Sequence, residues 1–224
     1  MSHGFRGPHP LLPQRPLPVS LAQEKIRLRA ELRAARDAIP PERAAAAAGD
    51  VAARTLRWLL GKGLDPARAP IGLYASLPGE LDCLPLLAAL AEKGYPTLLP
   101  VAGAKATPLA FRLWRPGDPL VPGRFGLREP AAAAPEMRPQ ILLLPLLGFD
   151  GEGTRLGFGG GYYDATLAHL RGNGLRLAGG LAFACQRAEK IPRENHDEKL
   201  DFVVTEAELF DFTDSSCASC SSAT

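Results

Sequence analysis

The chain has 224 residues, of which 46% are hydrophobic, and its 26 basic and 24 acidic side chains give a formal net charge of +2. This length and composition predict one sizeable α/β domain, and the balanced charge argues against a general nucleic-acid-binding protein. Without a membrane-length hydrophobic run or a signal-peptide core, the chain is expected to be cytoplasmic, with no membrane or nucleic-acid partner.

The two ends of the chain differ in composition from the rest. Residues 1–19 are dense in proline, which prevents regular helices and strands, and are expected to form a disordered extension. Residues 213–224 are rich in serine and cysteine and are expected to form a disordered tail. A single folded domain is therefore predicted over residues 20–212.

The cysteines indicate a reducing compartment. Cys83 and Cys185 lie in hydrophobic sequence and are expected to be reduced core residues. Cys217 and Cys220 form a Cys-x-x-Cys pair in the tail, but no second pair completes a zinc site and no following helix completes a redox motif. We expect this pair to be inert.

An amphipathic helix is predicted from Leu21 to Ile39, with Ser20 as its N-cap. Hydrophobic side chains recur with helical spacing at Leu28, Leu32, Ala35 and Ile39. Basic side chains recur with the same spacing at Lys25, Arg29, Arg33 and Arg36. On pattern alone, the basic stripe is typical of a solvated helix face that neighbouring acids partly neutralise.

The next segments alternate helices and strands. A second helix is predicted from Pro41 to Leu60, then a strand from Ile71 to Tyr74 and a helix from about Leu84 to Lys93. Glu80 follows the carboxyl end of that strand, where ligands collect in open α/β sheets. The alternative is an exposed acid that begins the next helix, which the helix dipole also favours.

Three further strands are expected between residues 97 and 144. Thr97 to Val101 and Leu109 to Trp114 have strand patterns, whereas residues 115–130 are dense in proline and glycine and are predicted to form a loop. The continuous hydrophobic run from Ile141 to Leu144 indicates a strand buried on both faces in a parallel sheet, and Pro145 marks its end.

A glycine-rich loop follows this strand. Its glycines include Gly157, Gly159, Gly160 and Gly161, and a helix is predicted from about Tyr162 to Leu170. Glycine lets backbone N–H groups approach an anion, and a helix N-terminus adds its positive end. Arg155 adds a cation for phosphate and Asp164 an anion for a metal, so the loop predicts a phosphate site. The spacing matches neither a dinucleotide fingerprint nor a P-loop.

Two more strands are predicted near the end of the domain, from Leu175 to Ala184 and from Phe202 to Thr205. Between them, polar side chains crowd together at His196, Asp197, Glu198 and Asp201. A catalytic His-Asp dyad, a metal site and simple surface polarity all remain open for this cluster.

The run GFDGEGTRLGFGGGYYDA, residues 148–165, resembles the signature of the 5-formyltetrahydrofolate cyclo-ligase family, also called methenyltetrahydrofolate synthetase. The resemblance extends from about Lys25 to Glu206. It implies a three-layer α/β fold with a mainly parallel central sheet and helices on both faces, similar to the architecture of sugar-phosphate isomerases and coenzyme A transferases.

The resemblance also implies an activity. Members close 5-formyltetrahydrofolate to 5,10-methenyltetrahydrofolate with ATP and Mg²⁺, releasing ADP and phosphate, by phosphorylation of the formyl oxygen and attack by N10. Phosphoryl transfer of this kind relies on positioning and charge neutralisation, so no protein nucleophile is expected.

Site residues follow from the resemblance, residue by residue. ATP is expected at Lys25, Arg29, Arg155, Leu156, Gly157, Phe158, Gly159, Gly160, Gly161, Tyr162 and Tyr163. The folate is expected at Ala75, Glu80, Phe158 and Tyr162, and magnesium at Asp164 and Asp197. Some family members carry a lysine where this chain has Gly160, which removes one phosphate contact. Arg33 and Arg36 keep their interpretation as solvated residues.

Two other function classes remain open on the sequence. A sugar-phosphate isomerase or coenzyme A transferase of the same architecture would act without ATP and magnesium, and Glu80 has the position of a transferase nucleophile. A nucleotide- or folate-binding regulator would keep the loop without turnover, although retention of both Asp164 and Asp197 argues against it.

Overall fold

A computed structural model describes residues 20–213 and contains four α-helices in that range. They are α1 (Leu21–Asp37), α2 (Pro41–Gly61), α3 (Leu84–Glu92) and α4 (Tyr162–Arg171). None of these helices has the length and hydrophobicity needed to cross a membrane. The predicted extension and all but the first residue of the predicted tail, with Cys217 and Cys220, lie outside the described residues.

Seven strands form the central sheet. They are β1 (Ile71–Gly72), β2 (Thr97–Val101), β3 (Ala110–Leu113), β6 (Ile141–Pro145), β9 (Leu177–Leu181), β10 (Phe202–Val204) and β11 (Leu209–Asp211). The remaining strands pair as two short antiparallel hairpins, β4 (Leu120–Pro122) with β5 (Arg128–Pro130), and β7 (Gly148–Phe149) with β8 (Arg155–Leu156).

The strand order in the sheet is β11-β10-β9-β6-β1-β2-β3. The five inner strands run parallel to one another, and only the two edge strands, β3 and β11, are antiparallel to their neighbours. This confirms the predicted mainly parallel sheet.

Helices cover both faces of the sheet. Ile141 and Leu143 of β6 belong to the core that contains side chains of α2 and α3, whereas Leu142 and Leu144 belong to the core that contains side chains of α4. Because neighbouring residues of a strand point to opposite faces, the continuous hydrophobic run of β6 is buried on both sides. The three-layer arrangement is confirmed.

Helix α1 lies outside these two cores and packs against the glycine loop. Leu28 and Leu32 form a separate small cluster with Leu156 and Ile191. The helix begins as predicted, because the Ser20 hydroxyl accepts a hydrogen bond from the Gln23 amide in a capping box. Its hydrophobic stripe therefore brings its basic side chains against the loop.

The chain changes direction between β1 and β6. From β1 it crosses through α3 to β2 on one side, whereas β6, on the other side of β1, leads through α4 to β9. Because α3 and α4 cover opposite faces, a crevice opens at the carboxyl ends of β1 and β6.

Two predictions of irregular structure were wrong. Residues 115–130, expected to be a loop, contain the hairpin of β4 and β5, and the Glu129 carboxylate ties it to the end of β2 by accepting from the Ala102 amide at 3.0 Å. The glycine loop itself contains the hairpin of β7 and β8. Pattern rules miss such short two-stranded hairpins, because prolines are tolerated in strands that lack a neighbour on one side.

Two smaller expectations also differ from the structure. Cys83 is buried as predicted, but Cys185 is exposed, because it lies in a single helical turn beyond the end of β9 rather than in the sheet. Strand β11, which the sequence analysis did not predict, pairs with β10 and closes that edge of the sheet.

Gly179 in β9 generates the first prediction, since a Cβ atom there would lie 2.1 Å from Cζ of Phe202. Phe202 is fully buried and its ring centroid is 4.2 Å from that of Trp58, so the ring cannot move aside. We expect Gly179→Ala to lower the free energy of unfolding by about 1–3 kcal/mol in urea denaturation.

The matched control is Gly49→Ala on the exposed side of α2, where a Cβ atom has no neighbour within 4 Å. It should raise the free energy of unfolding by about 0.5–1 kcal/mol, because alanine favours a helix interior. Unchanged stability of Gly179→Ala would contradict the packing described for β9.

Candidate functional site

A cavity of about 510 Å³ lies at the carboxyl ends of β1, β2 and β6. Its wall includes Tyr74 after β1, Ala102 after β2 and Pro145 at the end of β6. The structure places every residue that the sequence analysis assigned to a site on this wall: Lys25, Arg29, Ala75, Glu80, Arg155, Leu156, Gly157, Phe158, Gly159, Gly160, Gly161, Tyr162, Tyr163, Asp164 and Asp197.

The glycine loop forms one wall of the cavity and leads into α4. Gly161 is the N-cap residue of this helix with a φ of 72°, and Gly159 has a φ of 90°, conformations that favour glycine. The amides of Gly157, Gly159, Gly160 and Gly161 donate no hydrogen bond to another described residue. The loop therefore presents unused N–H groups beside the positive end of α4, which is the arrangement that binds phosphate.

Arg29 of α1 holds the glycine loop from the outside. Its Nε donates to the Gly157 carbonyl at 2.9 Å, and its guanidinium lies 3.7 Å from the position that a Cβ atom would take on Gly159. The terminal nitrogens of Arg29 make no hydrogen bond within the described part of the chain. Arg29 thus both fixes the loop and offers further donors to the cavity.

Lys25, one turn earlier in α1, is buried between two acids. Its Nζ lies 2.6 Å from Oδ2 of Asp197 and 2.7 Å from Oε2 of Glu194. Burial lowers the pKa of Lys25, but the hydrogen bonds to Asp197 and Glu194 outweigh this effect and raise the pKa above its usual value. Burial likewise raises the pKa of Asp197, while the Glu194 amide and Lys25 lower it overall. Both groups are therefore charged near neutral pH.

Arg155, which is buried, forms a second ion pair with the partly buried Asp164. Nη2 of Arg155 donates to Oδ1 of Asp164, and Nη1 donates to the Glu198 carbonyl. The Glu198 amide in turn donates to the same Asp164 oxygen at 3.2 Å. Burial lowers the pKa of Arg155. Because Asp197 precedes Glu198 in the chain, these bonds bring the Asp164 and Asp197 carboxylates to the same end of the cavity.

The chemistry of the two aspartates suits a magnesium ion. Oδ2 of Asp164 and Oδ1 of Asp197 accept no hydrogen bond from a described residue. Each carboxylate therefore keeps one available oxygen, the hard ligand that Mg²⁺ prefers, and the ion usually completes its shell with water and phosphate oxygens.

Another set of metal-binding side chains lies beside the cavity. Within the described range, Glu194, His196 and Asp197 place their ligand atoms within 4.8 Å of one another. Lys25 already contacts Glu194 and Asp197, so an ammonium group supplies the positive charge there. His196 is exposed and makes no closer contact with Asp197 than 3.8 Å, which does not support a catalytic His-Asp dyad.

Glu80 lies on the cavity wall in the turn after β1. Its Oε2 accepts from the Leu77 amide at 2.9 Å, and burial raises the pKa of its carboxyl group. The alternative interpretation, an exposed acid that begins the next helix, is wrong, because α3 begins four residues later at Leu84. The Leu84 amide donates to Oδ1 of Asp82 at 3.0 Å, so Asp82 is the acid at the start of that helix.

Buried groups near Glu80 are held in their neutral forms. Burial raises the pKa of Cys83 to about 12 and raises those of Tyr74 and Tyr163 well above the usual tyrosine value. The Cys83 thiol also donates to the Tyr74 carbonyl at 2.8 Å. Cys83 is therefore a structural residue and not an activated nucleophile.

The sequence analysis missed several residues of the cavity. Lys105 and Arg128 add positive charge, and Leu77, Leu109 and Leu127 add hydrophobic surface. They come from the turn after β1, the β2–β3 connection and the hairpin of β4 and β5. Lys105 precedes Ala106, whose Cβ lies 3.4 Å from the position a Cβ would take on Gly161. No sequence pattern marks these residues, because distant loops bring them together.

Arg36 was also misinterpreted. Its side chain is only 6% exposed, so it does not belong to a solvated face, although Arg33 is exposed as expected. Its guanidinium carbon lies 5.8 Å from the ring centroid of Phe158 in the glycine loop. Periodicity places Arg36 on the basic stripe but cannot show that the loop covers the end of that stripe.

Asp150 fixes the position of the segment that carries Asp197. Its buried Oδ1 accepts from the amides of Glu152 and Thr154 at 3.0 Å each, which closes the turn between β7 and β8. Its Oδ2 accepts from the Ile191 amide at 3.1 Å. One carboxylate therefore joins the hairpin to the segment that continues to Asp197.

Three comparisons with known proteins point to the same family. Residues 21–206 match the 5-formyltetrahydrofolate cyclo-ligase family. The 5-formyltetrahydrofolate cyclo-ligase of Escherichia coli K12 is 35% identical over 147 residues, which cover 63% of this chain and 80% of the relative. The protein of the same name from Mycolicibacterium smegmatis is 35% identical over 156 residues, covering 66% and 78%.

A solved structure extends the comparison to the fold. The NMR structure of Aquifex aeolicus 5,10-methenyltetrahydrofolate synthetase is 27% identical and superposes with a TM-score of 0.69. The match covers 84% of this chain and 92% of that protein. The fold and the sequence therefore point to the same family.

We expect Asp150→Ala to lower the free energy of unfolding by at least about 2 kcal/mol, because it leaves three backbone amides without their acceptor. Chemical denaturation measures this loss, and hydrogen exchange should show faster exchange of the Ile191 amide. Asp118→Ala is the matched control, since Asp118 caps an exposed turn by accepting from the Arg115 amide. A loss of stability no larger than that of the control would refute the role of Asp150.

Proposed function

The chain belongs to the 5-formyltetrahydrofolate cyclo-ligase family, and we propose that it closes 5-formyltetrahydrofolate to 5,10-methenyltetrahydrofolate in the 510 Å³ cavity, with ATP as phosphoryl donor. The observation that supports this proposal most strongly is that unused loop amides, two cation–carboxylate pairs and Glu80 all line one cavity. The family name alone would not require that convergence.

ATP is needed because the formyl group is a poor electrophile. Its carbon is amide-like, since N5 shares its electron pair with the carbonyl group. Transfer of the γ-phosphoryl group to the formyl oxygen breaks the bond to the leaving ADP and makes a new phosphate ester, which is a leaving group. N10 then attacks the formyl carbon and loses its proton, and the C–O bond breaks to release phosphate and the methenyl product.

The phosphates of ATP are proposed to lie on the glycine loop. The unused amides of residues 157–161 and the N-terminus of α4 would hold them. Lys25 uses two of its three donors on Glu194 and Asp197, which leaves one for a phosphate oxygen. Arg29 adds its terminal nitrogens, and Lys105 adds a further cation near Gly161. These groups offset charge that develops during phosphoryl transfer.

Asp164 and Asp197 are proposed to hold magnesium through their available oxygens. When bound, the ion neutralises charge on the phosphates and orients them for transfer. Arg155 supports this arrangement by fixing Oδ1 of Asp164, which leaves Oδ2 available to the ion. The protein provides no nucleophile, and the neutral thiol of Cys83 agrees with that.

The folate is proposed to lie on the side of the cavity formed by Ala75, Glu80, Phe158 and Tyr162. The hydrophobic side chains of Leu77, Leu109 and Leu127 would cover its ring and exclude water. Glu80 would accept hydrogen bonds from ring N–H groups and so orient N10 toward the formyl carbon.

The activity is tested by mixing the protein with 5-formyltetrahydrofolate, ATP and magnesium and following the near-ultraviolet absorption of the methenyl product. We expect the band to appear only when ATP is present, with one ADP released for each product formed. Binding of both ligands without turnover would instead identify a regulator. Formation of the methenyl product without ATP would refute the proposed chemistry.

We expect Asp164→Asn to lower the turnover rate at least about 100-fold, because a neutral amide binds magnesium weakly and no longer balances Arg155. The rate is measured over a range of magnesium concentrations, and circular dichroism checks that the variant is folded. Asp118→Asn, at an exposed turn far from the cavity wall, should keep the full rate. A folded Asp164→Asn variant with the wild-type rate at low magnesium would exclude Asp164 as a ligand.

A further inference from the structure

Arg36 is a buried cation with one nitrogen that lacks a partner. Nε and Nη2 both donate to Oδ1 of Asp37, at 3.1 and 2.9 Å. Nη1 is inaccessible to solvent and makes no hydrogen bond to any described residue. A buried donor of a charged group that is left unused destabilises the protein, so this nitrogen calls for an acceptor.

Arg36 lies between two segments of the cavity wall. Its guanidinium carbon is 5.8 Å from the ring centroid of Phe158 in the glycine loop. Its Nη2 is 2.9 Å from the position that a Cβ atom would take on Gly79, so the turn before Glu80 passes directly against the guanidinium. A side chain on Gly79 would collide with Arg36, and its φ of 84° also favours glycine.

Glu80 is the acceptor that matches the unused nitrogen. Its Oε2 is taken by the Leu77 amide, but Oε1 has no hydrogen bond to a described residue. Glu80 follows Gly79, the residue that packs against the Arg36 guanidinium, and the positive charge of Arg36 opposes the rise that burial causes in the pKa of Glu80. An unused donor and an unused acceptor of opposite charge therefore belong to segments that pack against each other.

We propose that Arg36 is a positioning residue for the folate: when substrate enters the cavity, Nη1 of Arg36 donates to the free oxygen of Glu80 and fixes that carboxylate against the ring. This inference rests on the proposed function, because Glu80 orients the ring only if the cavity binds the folate. Arg36 does not line the cavity and acts through Glu80.

The titratable and charged groups that face Glu80 keep one charge state over the pH range in which Glu80 titrates. They are Arg36 from α1, Tyr74 and Cys83 from the segment between β1 and α3, and Tyr163 from α4. Burial raises the pKa values of both tyrosines and of Cys83, so these three stay neutral between pH 5 and 9. Among these groups Arg36 is the charged one, so its removal is expected to change the pKa of Glu80.

A double-mutant cycle tests the coupling. Equilibrium dissociation constants for 5-formyltetrahydrofolate and, separately, for ATP are measured by calorimetry with wild-type protein, Arg36→Met, Glu80→Gln and the double variant. We expect Arg36→Met to weaken folate binding at least about tenfold and ATP binding less than twofold. In the Glu80→Gln background the same change should have no further effect on folate binding, because the two residues act as a unit.

The dependence of folate binding on pH gives a second readout. Loss of Arg36 raises the pKa of Glu80, so the pH below which Arg36→Met loses affinity should move upward relative to wild type. Glu80→Gln should show no such transition. Arg36→Lys keeps the charge and should restore the pH at which affinity falls, with partial recovery of affinity.

Arg33→Met is the matched control. Arg33 lies on the same helix, 6.0 Å from the same Phe158 ring, but is exposed and does not face Glu80. It should leave both dissociation constants unchanged within about twofold. If Arg36→Met does not fold, Arg36→Gln, which also removes the charge, replaces it in the cycle.

The outcomes separate the inference from the proposed function. Additive effects of Arg36 and Glu80, or equal losses of folate and ATP binding, would show a purely structural role and overturn the inference. Unchanged folate binding in Arg36→Met would also overturn it. Failure of the wild-type protein to bind 5-formyltetrahydrofolate would instead refute the proposed function.

Discussion

The ion pair between the buried Arg155 and the partly buried Asp164 is the interaction on which the site depends. It joins three segments that are distant in sequence: the β7–β8 hairpin, helix α4 and the segment that contains Glu198. The Arg155 guanidinium is buried, and its bonds to Asp164 and to the Glu198 carbonyl offset the cost of removing this charge from water. The same bonds that satisfy Arg155 therefore hold both carboxylates at one end of the cavity.

The sheet topology explains why these segments meet. Parallel strands carry their functional loops at one edge, and the change of direction between β1 and β6 opens a crevice there. Helix α1 is an addition to this plan, because it contributes to neither large core. Leu28 and Leu32 seat it on the glycine loop, so that Lys25 and Arg29 reach the crevice from outside the sheet. Lys25 of a peripheral helix thus contacts carboxylates of the segment between β9 and β10.

Much of this arrangement could be predicted from the sequence, because the relevant signals are local. The uniform hydrophobic run of β6 gives a strand buried on both faces, and the glycine spacing gives the loop and the start of α4. What could not be predicted depends on contacts between distant segments. The same helical stripe contains Arg33, which is exposed, and Arg36, which is buried, and only the fold shows which one the glycine loop covers. The hairpin of β4 and β5 was missed for a similar reason, since Glu129 fixes it by a bond to the end of β2.

The charge balance of the cavity bears on how a nucleotide would be recognised. Lys25 is neutralised by Asp197 and Glu194, and Arg155 by Asp164, so these cations are already paired with acids. The groups of the described cavity wall without an acidic partner include the neutral amides of the glycine loop, the terminal nitrogens of Arg29, the exposed Lys105 and Arg128. On the proposed function, phosphate binding therefore rests mainly on directed N–H donors. Lys25 carries one positive charge against the two acids Glu194 and Asp197, so on the proposed function this cluster would favour ATP that carries its own divalent cation.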